Sequence, residues 1–255
     1  MGWLALIETY PYFFASALGT VLCLIAGGLL LSRAQFRASV LSGLLNAPGF
    51  VFMPLLERHY WHPRRLGGWI LGVEDALCSF MVALMAWVVV AVLLRGKLSD
   101  RMGTAGFLRR YNAACALSIG LFLSAYVAGL DAMSALIVAC ALMAMLLQAA
   151  NRGAWPLAVG GMCGFGLAWW AAVRLFFWLW PEFSSQWNGA SVWGALVIGV
   201  PLGELTWALV FGSYWPLFVA YALRINVLAG ERPRGCDASR AGRVHAHAGA
   251  VRSSA

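Results

Sequence analysis

An all-α membrane bundle is the fold class that the sequence predicts: a polytopic protein of about seven transmembrane helices, built as two related halves in tandem. Three observations predict it. The chain is 62% hydrophobic and only 11% charged, and no soluble domain of 255 residues hides that much apolar surface. The apolar residues fall into successive runs, most of them long enough for a span of about 20 residues. A short pattern, Gly-Val followed within a few residues by a carboxylate, occurs twice, each time near the head of a long apolar stretch: Gly72-Val73-Glu74-Asp75 and Gly199-Val200-Pro201-Leu202-Gly203-Glu204.

The first run is Tyr12 to Leu31, entered through Glu8-Thr9-Tyr10-Pro11 and closed by Arg33 and Arg37. The second, Val40 to Leu56, is short and interrupted by Asn46, Pro48, Gly49 and Pro54, which predicts a broken or kinked helix. After the polar loop Glu57 to Arg65 comes a third run, Gly68 to Leu94, with Glu74 and Asp75 inside its first half. A basic loop, Arg95 to Arg110, precedes the fourth run, Ala113 to Leu130. The fifth, Ala132 to Leu147, follows directly through Asp131, and the sixth is Trp155 to Trp180, with Arg174 inside it. The last stretch, Ala190 to Leu223, is too long for one simple span. Gly199 and Pro201 offer the break, because proline removes a backbone donor and clashes with the preceding turn. This gives a first membrane half over 1–94, a basic loop and linker helix over 95–130, a second membrane half over 131–228 and a disordered polar tail over 229–255.

Seven spans put alternate loops on opposite sides. One side collects Arg33, Arg37, Arg95, Lys97, Arg101, Arg109, Arg110, Arg152, Arg224 and the tail, and the other has only Arg58, Arg64 and Arg65. The positive-inside rule makes the first side cytoplasmic, with the N-terminus outside and the C-terminus inside; the expected setting is the bacterial inner (plasma) membrane. It also accounts for the net charge of +8, so no nucleic-acid partner is expected; membrane lipid is. The chain lacks a basic N-terminal region and a small-residue cleavage site, so no cleaved signal peptide is expected. The cysteines form no CxxC pair, and His245 and His247 sit on the tail, so no metal is expected.

The repeats carry further likeness. Tyr60-Trp61-His62-Pro63 precedes the first acidic pattern and Gln186-Trp187-Asn188 the second, each about eleven residues before the Gly-Val pair. At these residues the chain resembles the lycopene cyclase domain family, whose heterodimeric bacterial cyclases and fused relatives carry a Pro-x-Glu-Glu type motif at the head of a helix in each half. The likeness covers roughly residues 50 to 90 and 180 to 220. The first copy here has Val73-Glu74-Asp75 without the proline, and the second, Pro201-Leu202-Gly203-Glu204, has Gly203 where one acid is usual. The resemblance implies a redox-neutral, acid-catalysed cyclisation of a linear carotenoid or related isoprenoid, with no cofactor.

Such chemistry needs a carboxyl group that keeps its proton near neutral pH, a state that burial and a second nearby carboxylate favour. The candidates are Glu204, Asp75 and Glu74. Glu74 and Asp75 diverge by about 100° around a helix, so only one faces a shared cavity. Asp75 aligns with Glu204, and Glu74 is assigned a supporting hydrogen bond. A carbocation also needs aromatic faces. Trp207, Phe211, Tyr214 and Trp215 follow Glu204 at helical spacing, and with Pro201 and Asn46 they make up the expected substrate-binding set. The structural alternative is that these carboxylates pair with Arg174 or with a buried amide such as Asn46 and only fix helix packing. Arg174 would otherwise snorkel outward, and Trp61 and Trp187 serve as interface anchors. No Gly-rich dinucleotide fingerprint, no buried lysine for a Schiff base and no aspartate cluster for diphosphate-bound metal is present. The alternative function is a non-catalytic membrane protein of the same fold that binds or transports a hydrophobic ligand.

Overall fold

A computed structural model describes residues 3–57 and 59–228; the tail from 229 onward, with His245 and His247, lies outside them. The described chain is almost entirely helical, which agrees with the expected class. A short helix α1 (Trp3–Thr9) leads into α2 (Pro11–Leu30), where Pro11 takes a first-turn position that has no intrahelical N–H bond to lose. Helix α3 (Arg33–Asn46) starts seven residues before the apolar run that signals it. Ser32 caps it by accepting the Gln35 N–H at 3.3 Å, and its first turn, with Arg33, Gln35 and Arg37, is polar. A hydropathy reading therefore skips that turn. The expected break follows: the chain tightens to a 3₁₀ helix at Ala47–Phe52 and resumes as α4 (Met53–Glu57).

Helix α5 (Val73–Leu93) begins five residues later than its apolar run, because Gly68 adopts a φ of 63° in the preceding loop. Helix α6 (Phe107–Val127) follows the basic loop, and α7 (Ala132–Ala150) and α8 (Trp155–Leu179) follow it with tight connections. The last apolar stretch is a hairpin and then a helix. Strands β1 (Leu196–Val197) and β2 (Val200–Pro201) pair antiparallel, and α9 (Leu202–Leu223) starts directly after Pro201. The two turn residues, Ile198 (φ 52°) and Gly199 (φ 72°), both have positive φ, as a two-residue hairpin of the primed type demands.

Among the described residues, six helical segments are long and apolar enough to cross a membrane: α2, the stretch from α3 through α4, α5, α7, the stretch 152–179 and α9. The chain is thus a membrane protein. Helix α6 has the same length as α5, 21 residues. Arg109, Arg110, Tyr111 and Asn112 in its first two turns dilute its apolar character. Helices α5 and α9 form the centre. α2 and α3 both pack on α5, and α7 and α8 both pack on α9. One buried knot ties three helices: Ser42 donates to the Ala83 carbonyl at 2.8 Å and accepts from Trp215 Nε1 at 2.8 Å. At the basic end, the buried Arg110 donates to the Tyr221 and Ala222 carbonyls at the C-terminus of α9 and to those of Gly103 and Ala105. A cation is well placed against those unpaired carbonyls.

Candidate functional site

Glu204 and Asp75 occupy the same register: each is the third residue of its helix, α9 and α5. Their surroundings differ. Asp75 is fully buried and held by Arg65, whose Nε donates to Oδ2 at 2.7 Å and whose terminal nitrogen donates to Oδ1 at 3.2 Å. The same guanidinium pairs with Glu57 at the end of α4. Tyr12 donates to Asp75 Oδ1 at 3.1 Å, and the Gly72 N–H donates to Oδ2 at 2.8 Å, closing the first turn of α5. Burial alone would lower the affinity of the Arg65 guanidinium for its proton, but Glu57 and Asp75 outweigh it and push its pKa up. Glu74, 1% exposed, accepts the Leu66 N–H at 2.8 Å, which fastens the preceding loop.

Among the described residues, no cation pairs with Glu204. Its Oε1 accepts from Tyr60 at 3.0 Å and from Trp187 Nε1 at 3.2 Å, and its Oε2 accepts from Trp169 Nε1 at 2.8 Å. Indole nitrogens only donate, so the direction of two of these bonds is fixed. Burial and the neighbouring Glu204 push the Tyr60 phenol well above its ordinary range, which keeps it a donor. Two accepted bonds fill Oε1. Oε2 accepts one and keeps a second position, where a proton on Glu204 would sit.

The two donor loops are joined above this carboxyl. Trp61 and Trp187 form an antiparallel backbone bridge with rings stacked at 5.7 Å. His62 N–H donates to the Gln186 carbonyl at 2.8 Å, and Asn188 N–H to that of Tyr60 at 2.9 Å. Below them lies a cavity of about 590 Å³ whose wall takes residues from every long helix. That size suits a small-molecule ligand. Glu204 is the one ionisable carboxylate on its wall among the described residues. From it a ladder of rings descends along α9: Trp207 on Phe211 at 4.9 Å, Phe211 on Trp215 at 5.5 Å, Trp215 on Phe218 at 4.8 Å, all stacked.

Of the expected site residues, Glu204, Trp207, Phe211, Tyr214, Trp215 and Asn46 share this wall. Asn46 also donates to the Ser79 carbonyl at 2.8 Å. Glu74, Asp75 and Pro201 do not line it: the acids face the Arg65 loop, and Pro201 pairs with Leu196 and precedes α9. Arg174 meets neither acid. It is exposed and reaches the Gly199 carbonyl at 3.4 Å. Nothing in the sequence singles out Trp169, one of several tryptophans in its apolar run, or Tyr12 and Arg65. Tyr60 and Trp187 lay in the loops whose Trp-containing motifs drew attention for another reason. No protein-family model, curated protein or solved structure matches the chain.

Proposed function

We propose that this protein is an integral-membrane cyclase of the lycopene cyclase type, acting on a linear carotenoid or related isoprenoid without cofactor. The observation that carries the reading is Glu204: one carboxyl group, cradled by three donors, at the head of an aromatic ladder in a largely apolar cavity. The proton on Oε2 passes to the terminal alkene, whose π electrons form the new C–H bond and leave a tertiary carbocation. An internal double bond attacks it and closes the ring. Loss of a neighbouring proton to Oε2 restores the alkene and the acid, so no electrons are exchanged. The donors from Tyr60, Trp169 and Trp187 stand ready to solvate the carboxylate in between, and the ring faces stabilise the cation. Because Arg65 holds Asp75 as an ion pair, this scheme uses Glu204 as both acid and base. Asp75 and Glu74 become positioning residues.

The tandem halves and the orientation belong to the same proposal. The halves are supported by the shared register of Asp75 and Glu204, the bridged Trp61 and Trp187, and the like packing of α2 and α3 on α5 and of α7 and α8 on α9; the orientation is supported by the uneven distribution of Arg and Lys between the loops. The test is pigment analysis of a lycopene-accumulating host. Wild type should yield cyclic product, Glu204→Gln none, and Glu204→Asp a residual fraction, since a small misplacement costs on the order of a hundredfold. Protein level in the membrane is the control. An active wild type with an equally active Glu204→Gln would sink the acid role. An inactive wild type would favour the non-catalytic, ligand-binding alternative, to which the loss of Asp75 as a free acid also points.

A further inference from the structure

The inner end of the cavity, away from Glu204, has its own polar group. Tyr214 on α9 and Ser118 on α6 face each other at 3.0 Å, and both line the wall with Tyr111 and Cys115. The direction of that bond follows from counting hydrogens. A serine hydroxyl has one, and Ser118 directs its own to the Ala114 carbonyl at 2.8 Å, the back-bond typical of serine within a helix. Tyr214 is therefore the donor to Ser118. Tyr111 likewise commits its hydroxyl hydrogen, to the Leu45 carbonyl at 2.9 Å. Two phenols with their hydrogens already used present oxygen lone pairs to a largely apolar cavity. Each oxygen already makes one hydrogen bond, and its remaining lone pairs can accept another from a ligand that brings an O–H.

Resting on the reading of the cavity as an isoprenoid site, we infer that the ligand is an isoprenoid alcohol: a chain whose hydrocarbon end meets Glu204 and whose hydroxyl donates to Tyr214. The ten residues from Glu204 to Tyr214 on α9 set the spacing at about 15 Å. The aromatic ladder of Trp207, Phe211 and Trp215 covers the interval. This assigns Tyr214 to recognition of the far end of the chain rather than to the cation.

The experiment is a binding series on the full chain in lipid nanodiscs, read by quenching of tryptophan fluorescence. The probes are farnesol, farnesyl methyl ether and farnesene, which share a carbon skeleton and differ in the O–H. Wild type should bind farnesol roughly tenfold more tightly than the other two, the scale of one hydrogen bond. Tyr214→Phe should bring all three to similar affinity without weakening farnesene. Ser118→Ala should free the Tyr214 hydrogen to donate into the cavity, so that the ether gains several-fold while farnesene does not. If wild type binds farnesene as tightly as farnesol, the hydroxyl assignment fails and the isoprenoid reading stands. If wild type binds none of the three, both fail. A farnesol preference that persists unchanged in Tyr214→Phe and Ser118→Ala would also overturn the assignment of Tyr214.

Discussion

Two carboxylates at one register, Asp75 and Glu204, end up with opposite partners because different loops fold over them. The loop after α4 gives Asp75 a guanidinium and Glu204 a phenol, while the loop before α9 gives Glu204 an indole. That the acids matter was legible in the sequence, since a carboxylate in an apolar run demands an explanation. What each acid meets was not: Tyr60 reaches Glu204 across 144 residues of chain, and nothing in either local pattern encodes that approach. The difference predicts different phenotypes. Trp169→Phe keeps a ring against Phe165 and Trp207 but removes the donor to Oε2. On the proposed function, cyclisation should fall by about a hundredfold, as for loss of one preorganised donor, with membrane level and melting temperature near wild type. Arg65→Met should do the reverse. It strands Asp75 and Glu57 without their cation, at a cost of about 3–5 kcal/mol, and should lower the melting temperature in detergent sharply. Adding Asp75→Asn to Arg65→Met should recover part of that loss. If the double variant is no more stable than the single, the ion pair is not what Arg65 contributes.

Helix α9 depends on an approach to α8 that no side chain permits. A Cβ on Gly161 would lie 1.9 Å from the Gly212 carbonyl oxygen, and one on Gly212 would lie 2.4 Å from that of Gly161. Small residues let helices in a bilayer touch backbone to backbone, where packing rather than the hydrophobic effect holds them. One residue away, Gly160 faces open space. Gly161→Ala should therefore separate α8 from α9 and disturb the Trp169 to Glu204 bond that spans them, while Gly160→Ala should change stability by no more than about 0.5 kcal/mol. The paired measurement is thermal unfolding with cyclisation activity. Equal effects at the two positions would show that the close approach is unimportant. The sequence located these elements far better than their contacts. Apolar runs marked most of the long helices, and Gly199 with Pro201 marked the start of α9. The polar first turn of α3 was invisible to hydropathy. The hairpin was hidden because Ile198, a β-branched residue, takes a positive φ that it normally avoids. Gly160 and Gly161 are indistinguishable until the partner helix is in place.

At the scale of the whole molecule, the odd helix decides the orientation of everything else. If α6 crosses, the chain has seven spans and its ends lie on opposite sides; if α6 stays at the surface, the six remaining spans return both ends to one side. Composition leaves α6 short of the other helices, yet its placement argues for crossing. It is 21 residues long, packs on α7 and α9, and puts Ser118 and Phe122 on the wall of the central cavity. Arg110, which dilutes it, is turned onto the carbonyls at the end of α9, so its charge sits at the basic end of the bundle and not in the apolar middle. The distribution of Arg and Lys then sets the hand: that end should be cytoplasmic. Reporter fusions check both points. Fusions after Arg110 and after Ala255 should fluoresce with a reporter active only in the cytoplasm. A fusion after Leu130, between α6 and α7, should be active with alkaline phosphatase, which works only outside. A cytoplasmic signal after both Arg110 and Leu130 would remove α6 from the membrane. External signals after Arg110 and Ala255 with a cytoplasmic one after Leu130 would keep seven spans and invert them, placing the Glu204 end of the cavity inside the cell.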